Sequence, residues 1–170
     1  VNDAAAGDFA AANDRLAALV STPYSVPERI DLDRMAVGPA RTNFLRWFQQ
    51  GAGFIHYTGH GGMKNLGTQN LLTATNISAM ANADRPPIVM TLTCLAARYE
   101  VPATDSLGEL LLRQAGGGAV AVLGPSGLSR NAPATELGEA FYRAILKEGE
   151  GRLGPAFLKA RRSQAEDVFS

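Results

Sequence analysis

At 170 residues, 46% apolar and 19% charged, the chain is long enough for one globular domain with a sizeable core, and its composition indicates neither a disordered nor a membrane class. Sixteen basic side chains balance sixteen acidic ones, so no charge excess predicts a nucleic-acid groove or an acidic-lipid surface. The only cysteine is Cys94, which excludes an intrachain disulfide framework and a multi-cysteine zinc site. No metal or cofactor is expected, and no apolar run nears the roughly 20 residues that a spanning helix needs. The sequence begins at Val1 without a charged-then-apolar leader, so residues 1–170 are read as one domain excised or processed from a longer protein.

Apolar periodicity then divides the chain into alternating helical and extended segments, the pattern of a parallel sheet with helices on its faces. A helix is expected over Asp8 to Val20, and Ile30 to Asp33 reads as a short edge strand or extended linker after Pro23 and Pro27. Phe44, Leu45 and Phe48 form the apolar stripe of a helix from Ala40 to Gln50, with Gly51 at its C-terminal cap. Gly53 to Thr58 reads as a buried strand that runs into the glycine-rich turn Gly59-His60-Gly61-Gly62. After a helix near Thr75 to Ala81, Pro87 to Thr93 forms a second apolar strand ending at Cys94. Ser106 and Glu109 have capping-box spacing and open a helix to Ala115. A third strand covers Ala119 to Leu123, a loop runs from Gly124 to Pro133, and Leu137, Phe141 and Ile145 mark a core-facing helix. The last helix is expected from Pro155 to Asp167.

The two strand ends carry the functional argument. Successive parallel strands place their carboxyl ends along one edge of the sheet, where open α/β folds bind ligands. His60 and Cys94 therefore share that edge, although 34 positions separate them. Imidazole beside a thiol lowers the thiol's pKa and then protonates the leaving amine in acyl transfer, and glycine after the histidine lets backbone N–H groups approach a developing oxyanion. Gly61 and Cys94 N–H are the candidate donors. A lone cysteine is more often an inert core residue. Two apolar strands that each end in a reactive residue, one flanked by glycine on both sides, favour the dyad.

The block Phe54-Ile55-His56-Tyr57-Thr58-Gly59-His60-Gly61-Gly62, followed by Ile88-Val89-Met90-Thr91-Leu92-Thr93-Cys94, resembles the histidine and cysteine blocks of gingipain-type peptidases in the wider caspase-like clan. The resemblance extends through Ser106 to Leu111, Gly117 to Val122 and Phe141-Tyr142, and so covers most of positions 40–160. It implies a three-layer α/β/α sandwich with a mainly parallel sheet, caspase/gingipain-like, and a cysteine endopeptidase with Cys94 as nucleophile, His60 as general acid/base, and Gly61 and Cys94 N–H as the oxyanion hole. A protein or peptide substrate, other segments of the same precursor as partners, and a bacterial secreted or cell-surface location are implied by the same resemblance. Ser126 and Arg130, in the loop expected to wall the pocket, are the candidate substrate-binding residues. That loop offers no carboxylate for a basic substrate side chain, which leans specificity away from arginine and lysine unless Asp105 or an upstream residue supplies the acid. Asp3, Asp8, Asp14 and Asp31 precede the histidine block, and no motif selects one of them as a third catalytic residue.

Other chemistries fit less well. On a strand, His56 and His60 would sit about 13 Å apart, too far to share a metal, and His56 reads as a hydrogen-bonded strand histidine. The turn from Gly59 to Gly67 lacks the Gly-Lys-Ser/Thr ending of a phosphate-binding loop, and Gly124-Pro125-Ser126-Gly127-Leu128 lacks nucleophile-elbow spacing. Arg161-Arg162 is a solvated helix end. Besides the endopeptidase, two readings stay open: a non-catalytic α/β interaction domain, and a caspase-like regulatory peptidase of a signalling assembly.

Overall fold

A computed structural model describes residues 1–3, 8–21 and 27–164. In chain order the elements are α1 (Phe9–Val20), α2 (Val37–Gln50), β1 (Phe54–Thr58), β2 (Asn65–Leu66), β3 (Leu72–Thr73), α3 (Ala74–Ser78), β4 (Ile88–Leu92), α4 (Leu107–Arg113), β5 (Ala121–Leu123), α5 (Asn131–Leu146) and α6 (Leu153–Arg162). β1, β4 and β5 form a parallel sheet with β4 in the middle, and β2 and β3 form a small antiparallel hairpin.

The period-2 alternation of strand side chains divides the core between the two faces of this sheet. Ile55, Tyr57 and Val89 point to one side, where they meet Phe44 and Phe48 of α2, Ile77 of α3 and Leu107 and Leu111 of α4. Met90 and Leu92 point to the other, against Leu16 of α1, Leu137 and Phe141 of α5, and Ala156 and Ala160 of α6. β4 is thus buried on both faces, which is why it reads as an uninterrupted apolar run. Each fully buried Phe or Leu contributes about 1.5–3 kcal/mol relative to exposure, so the two layers pin the sheet from either side. The arrangement is the expected three-layer α/β/α sandwich.

Helix starts depart from the sequence reading in one systematic way. α2 begins at Val37, α5 at Asn131 and α6 at Leu153, two or three residues before the starts expected from the sequence, and each carries proline at its third position (Pro39, Pro133 and Pro155). The first N–H groups of a helix have no intrahelical acceptor, so proline there removes no bond. The loop after β5 consequently ends at Arg130 rather than Pro133. α6 ends at Arg162, and Ser163 caps it through its N–H to Ala160 O at 3.2 Å. The expected extension to Asp167 falls partly outside the described residues. β5 is shorter than expected because Ala119 N–H is bonded to Leu111 O at 2.9 Å, which holds the chain against the end of α4 and delays its entry into the sheet. α3 is likewise short; Asn76 Oδ1 accepts both the N–H and the hydroxyl of Thr73 at 2.9 Å and closes its first turn.

Other local signals are realised as read. Gly51 adopts the left-handed conformation, φ 80°, that ends α2. Ser106 N–H and hydroxyl both reach Glu109 Oε2 at 2.8 Å, and these bonds hold the Glu109 carboxyl below the usual carboxylate range. His56 is the hydrogen-bonded strand histidine, with Nε2 at 2.7 Å from Thr58 Oγ1 and Nδ1 at 3.3 Å from the Tyr142 hydroxyl.

Burial lowers the His56 pKa from its ordinary 6.5 to about 3. Between those values the unfolded chain takes up a proton that the native state refuses, so stability is full above the ordinary value and falls as the pH drops. Urea unfolding should show a loss approaching about 1.4 kcal/mol per pH unit across that window. His56→Gln should flatten this dependence, and an unchanged slope in the variant would count against His56 as its source.

Candidate active site

β1 and β4 are aligned residue for residue, from Phe54 opposite Ile88 to Thr58 opposite Leu92. His60 and Cys94 each lie two residues beyond the last aligned pair. Gly59 N–H to Leu92 O, 3.2 Å, carries the pairing one step past the strands. The two turns then touch: a Cβ built on Gly61 would lie 2.3 Å from Thr93 Oγ1, so the backbone after His60 rests on the side chain before Cys94. Only glycine tolerates that approach.

Cys94 is half-buried. Its sulfur is held by the backbone of one residue of the following loop, with Ser129 N–H donating to Sγ at 3.4 Å and the thiol donating to Ser129 O at 3.7 Å. Two further bonds fix the loop, Leu95 N–H to Gly127 O and Ala97 N–H to Pro125 O, both 3.0 Å. Leu95 sits in the left-handed region at φ 58°, which costs a non-glycine residue about 1–2 kcal/mol and turns the chain sharply after the cysteine.

His60 is exposed, and its backbone is anchored below. The Tyr57 hydroxyl donates to His60 O at 2.6 Å, and Gly67 N–H donates to the same oxygen at 2.9 Å. Burial, reinforced by the Asp3 carboxylate, pushes the Tyr57 phenol above its ordinary value, so it stays a donor. Asp3 is almost wholly buried; its Oδ2 accepts His60 N–H at 3.2 Å and Thr68 N–H at 3.3 Å. The Phe9 ring meets the imidazole edge-on, with centroids 5.1 Å apart. Among the described residues the imidazole and the sulfur make no hydrogen bond to each other; the sheet sets the turns side by side, and the sulfur rests on Ser129.

Gly61 and Cys94 N–H donate to no acceptor among the described residues. Ser126 is half-buried in the loop, and Arg130 is exposed at the N-terminal cap of α5; neither is joined to Cys94 by a hydrogen bond. Asp105, the acid considered for a basic substrate, is paired with Arg113 at 2.7 Å. Asp14 pairs with Arg29, and Asp31 accepts from Asn2 at 2.9 Å.

Sequence reasoning did not select Asp3 from the upstream acids, and it missed Phe9 and Ser129. Asp3 and Ser129 act on main-chain groups, or through their own, and such contacts leave no residue pattern. Phe9 reads as an ordinary core position of an amphipathic helix.

Gly61→Ala should destabilise the fold by about 1–3 kcal/mol, the usual cost of overpacking, measured by thermal or urea unfolding. In a Thr93→Ala background the cost should shrink, because the colliding hydroxyl is gone. Equal losses in both backgrounds would contradict the contact.

The sequence profile of peptidase family C25 matches residues 11–168. No curated protein matches the sequence. Among solved structures, the arginine-specific cysteine proteinase gingipain R superposes with a TM-score of 0.75 at 17% identity, over 92% of this chain and 37% of that one. The complex of Porphyromonas gingivalis RgpB pro- and mature domains superposes at 0.68 and 20% identity, over 82% of this chain and 33% of its counterpart. This chain therefore spans about a third of the solved chains it resembles.

Proposed function

Because the chain belongs to peptidase family C25, we propose that it is a cysteine endopeptidase domain in which Cys94 attacks the peptide carbonyl and His60 moves the proton. The observation that carries this reading is the aligned ending of β1 and β4, with the turns bearing His60 and Cys94 in contact through Gly61 and Thr93. Cys94 passes its proton to His60 and bonds to the carbonyl carbon; the resulting oxyanion accepts N–H bonds from Gly61 and Cys94. His60 returns the proton to the leaving amine, and water, deprotonated by His60, releases the acyl group from sulfur. Asp3, Tyr57 and Phe9 keep the histidine turn in place during these transfers.

The solved complex of a relative's pro- and mature domains supports a setting in which other segments of the same precursor pack against the domain. A bacterial secreted or cell-surface location goes with that setting. A caspase-like regulatory role would use the same dyad with different neighbouring domains.

Iodoacetamide should alkylate Cys94 faster than an ordinary exposed thiol near neutral pH, and His60→Ala should remove that advantage. Cys94→Ala and His60→Ala should each abolish turnover in a fluorogenic peptide library while leaving the fold intact. An ordinary alkylation rate, together with no cleavage by a longer form carrying the upstream region, would leave the non-catalytic interaction domain as the better reading.

Specificity rests on two opposite charges at the margin of the site. Arg130 follows the residue that holds the sulfur, and would pair with an acidic substrate side chain. Exposed Asp8 precedes the phenylalanine that touches His60, and would pair with a basic one, the class named for gingipain R. Matched peptides with Arg, Lys, Asp or Leu before the scissile bond separate the two. A preference for Asp that Arg130→Ala removes assigns Arg130; a preference for Arg or Lys that Asp8→Asn removes assigns Asp8.

A further inference from the structure

The loop after β5 contributes more than a pocket wall. Its bonds to the segment after Cys94 progress in opposite directions along the two chains, Ala97 to Pro125 and then Leu95 to Gly127, and the next residue in that progression is Ser129, which meets the sulfur. The Ser129 hydroxyl is buried and has no partner among the described residues. The main chain, and not the side chain, therefore grips Sγ.

We propose that Ser129 is a positioning residue whose main chain serves both protonation states of Cys94: its carbonyl accepts a hydrogen bond from the resting thiol, and its N–H holds the sulfur once the thiol proton has left. This rests on the reading of Cys94 as nucleophile and adds how the sulfur is managed before and during attack. An S–H donor and a sulfur acceptor have opposite needs, and each non-proline residue presents on its main chain one donor and one acceptor a few ångströms apart. In the resting geometry Sγ lies within reach of both, at 3.7 Å and 3.4 Å. When the proton transfers to the His60 imidazole, the bond to the carbonyl is lost, and the bond from the N–H gains strength because its acceptor is now charged. The exchange needs no backbone movement, because the bonds to Gly127 and Pro125 fix the loop just before Ser129. The sulfur is thereby kept at the sheet edge in both states, beside the turn that carries His60.

The single cysteine makes the test clean, because the protein has one S–H stretching band. In the folded protein that band should fall at lower frequency and be broader than in the urea-unfolded chain, as expected for a thiol donating to a carbonyl. Ser129→Ala keeps the peptide and should alkylate with iodoacetamide at the wild-type rate. A backbone ester at position 129, made in the Ser129→Ala background with the α-hydroxy counterpart of alanine, removes only the N–H. It should lower the alkylation rate at neutral pH by about tenfold or more, the loss of one hydrogen bond to a charged acceptor, with circular dichroism unchanged. An S–H band at the free-thiol frequency, an ester protein that reacts at the wild-type rate, or a Ser129→Ala protein as slow as the ester would each overturn the assignment. Should the ester protein fail to fold, the S–H band of the unmodified protein decides. Failure of the nucleophile reading has a different signature: the unmodified thiol would alkylate at an ordinary rate and His60→Ala would change nothing, whatever the S–H band shows.

Discussion

The parallel register of β1 and β4 is the constraint on which the site depends. Parallel pairing fixes not only which strands are neighbours but which residues are level, and here Thr58 is level with Leu92. A slip of one residue would turn Ile55 and Tyr57, or Val89, away from the layer that contains Phe44, Phe48 and Leu111. The energy that forbids the slip is ordinary apolar burial, supplied from both faces of the sheet. The same burial therefore sets the offset between His60 and Cys94, so that core packing and site geometry are one determination.

Beyond the strands, backbone groups take over. Gly59 extends the ladder, Gly61 lies on Thr93, and Asp3 and Tyr57 hold the peptide groups on either side of His60. On the cysteine side, the strained Leu95 turn is secured by Gly127, and the sulfur by Ser129. The candidate dyad is thus supported almost entirely through main-chain hydrogen bonds, which tolerate change in most of the surrounding side chains. This fits the low identity, 17–20%, at which the fold still superposes on its solved relatives.

Charge has a small part in this design. The surface ion pairs, such as Arg113 with Asp105, are solvated and contribute little to stability. The burial that matters electrostatically is at His56, which is kept neutral within the sheet, while His60, just past the strand, stands exposed. Two histidines four residues apart thus have opposite environments because one lies inside a strand and the other beyond its end.

From the sequence alone, the alternating elements, the two apolar strands, the capping box at Ser106 and Glu109, and the candidate pairing of His60 with Cys94 could be read, because each rests on local periodicity or on the residues just past a strand end. Helix starts at Val37, Asn131 and Leu153 were displaced, because proline reads as a breaker although it is harmless in a first turn whose N–H groups have no acceptor. Tertiary structure alone decided that Asp3 anchors the histidine turn, that Phe9 braces the imidazole, and that Ser129, not Ser126 or Arg130, reaches the sulfur. Those contacts join segments 35 to 57 positions apart, two of them through backbone atoms that every residue shares. No residue type marks them in the sequence, and only the packing of the sheet and its loops brings them together.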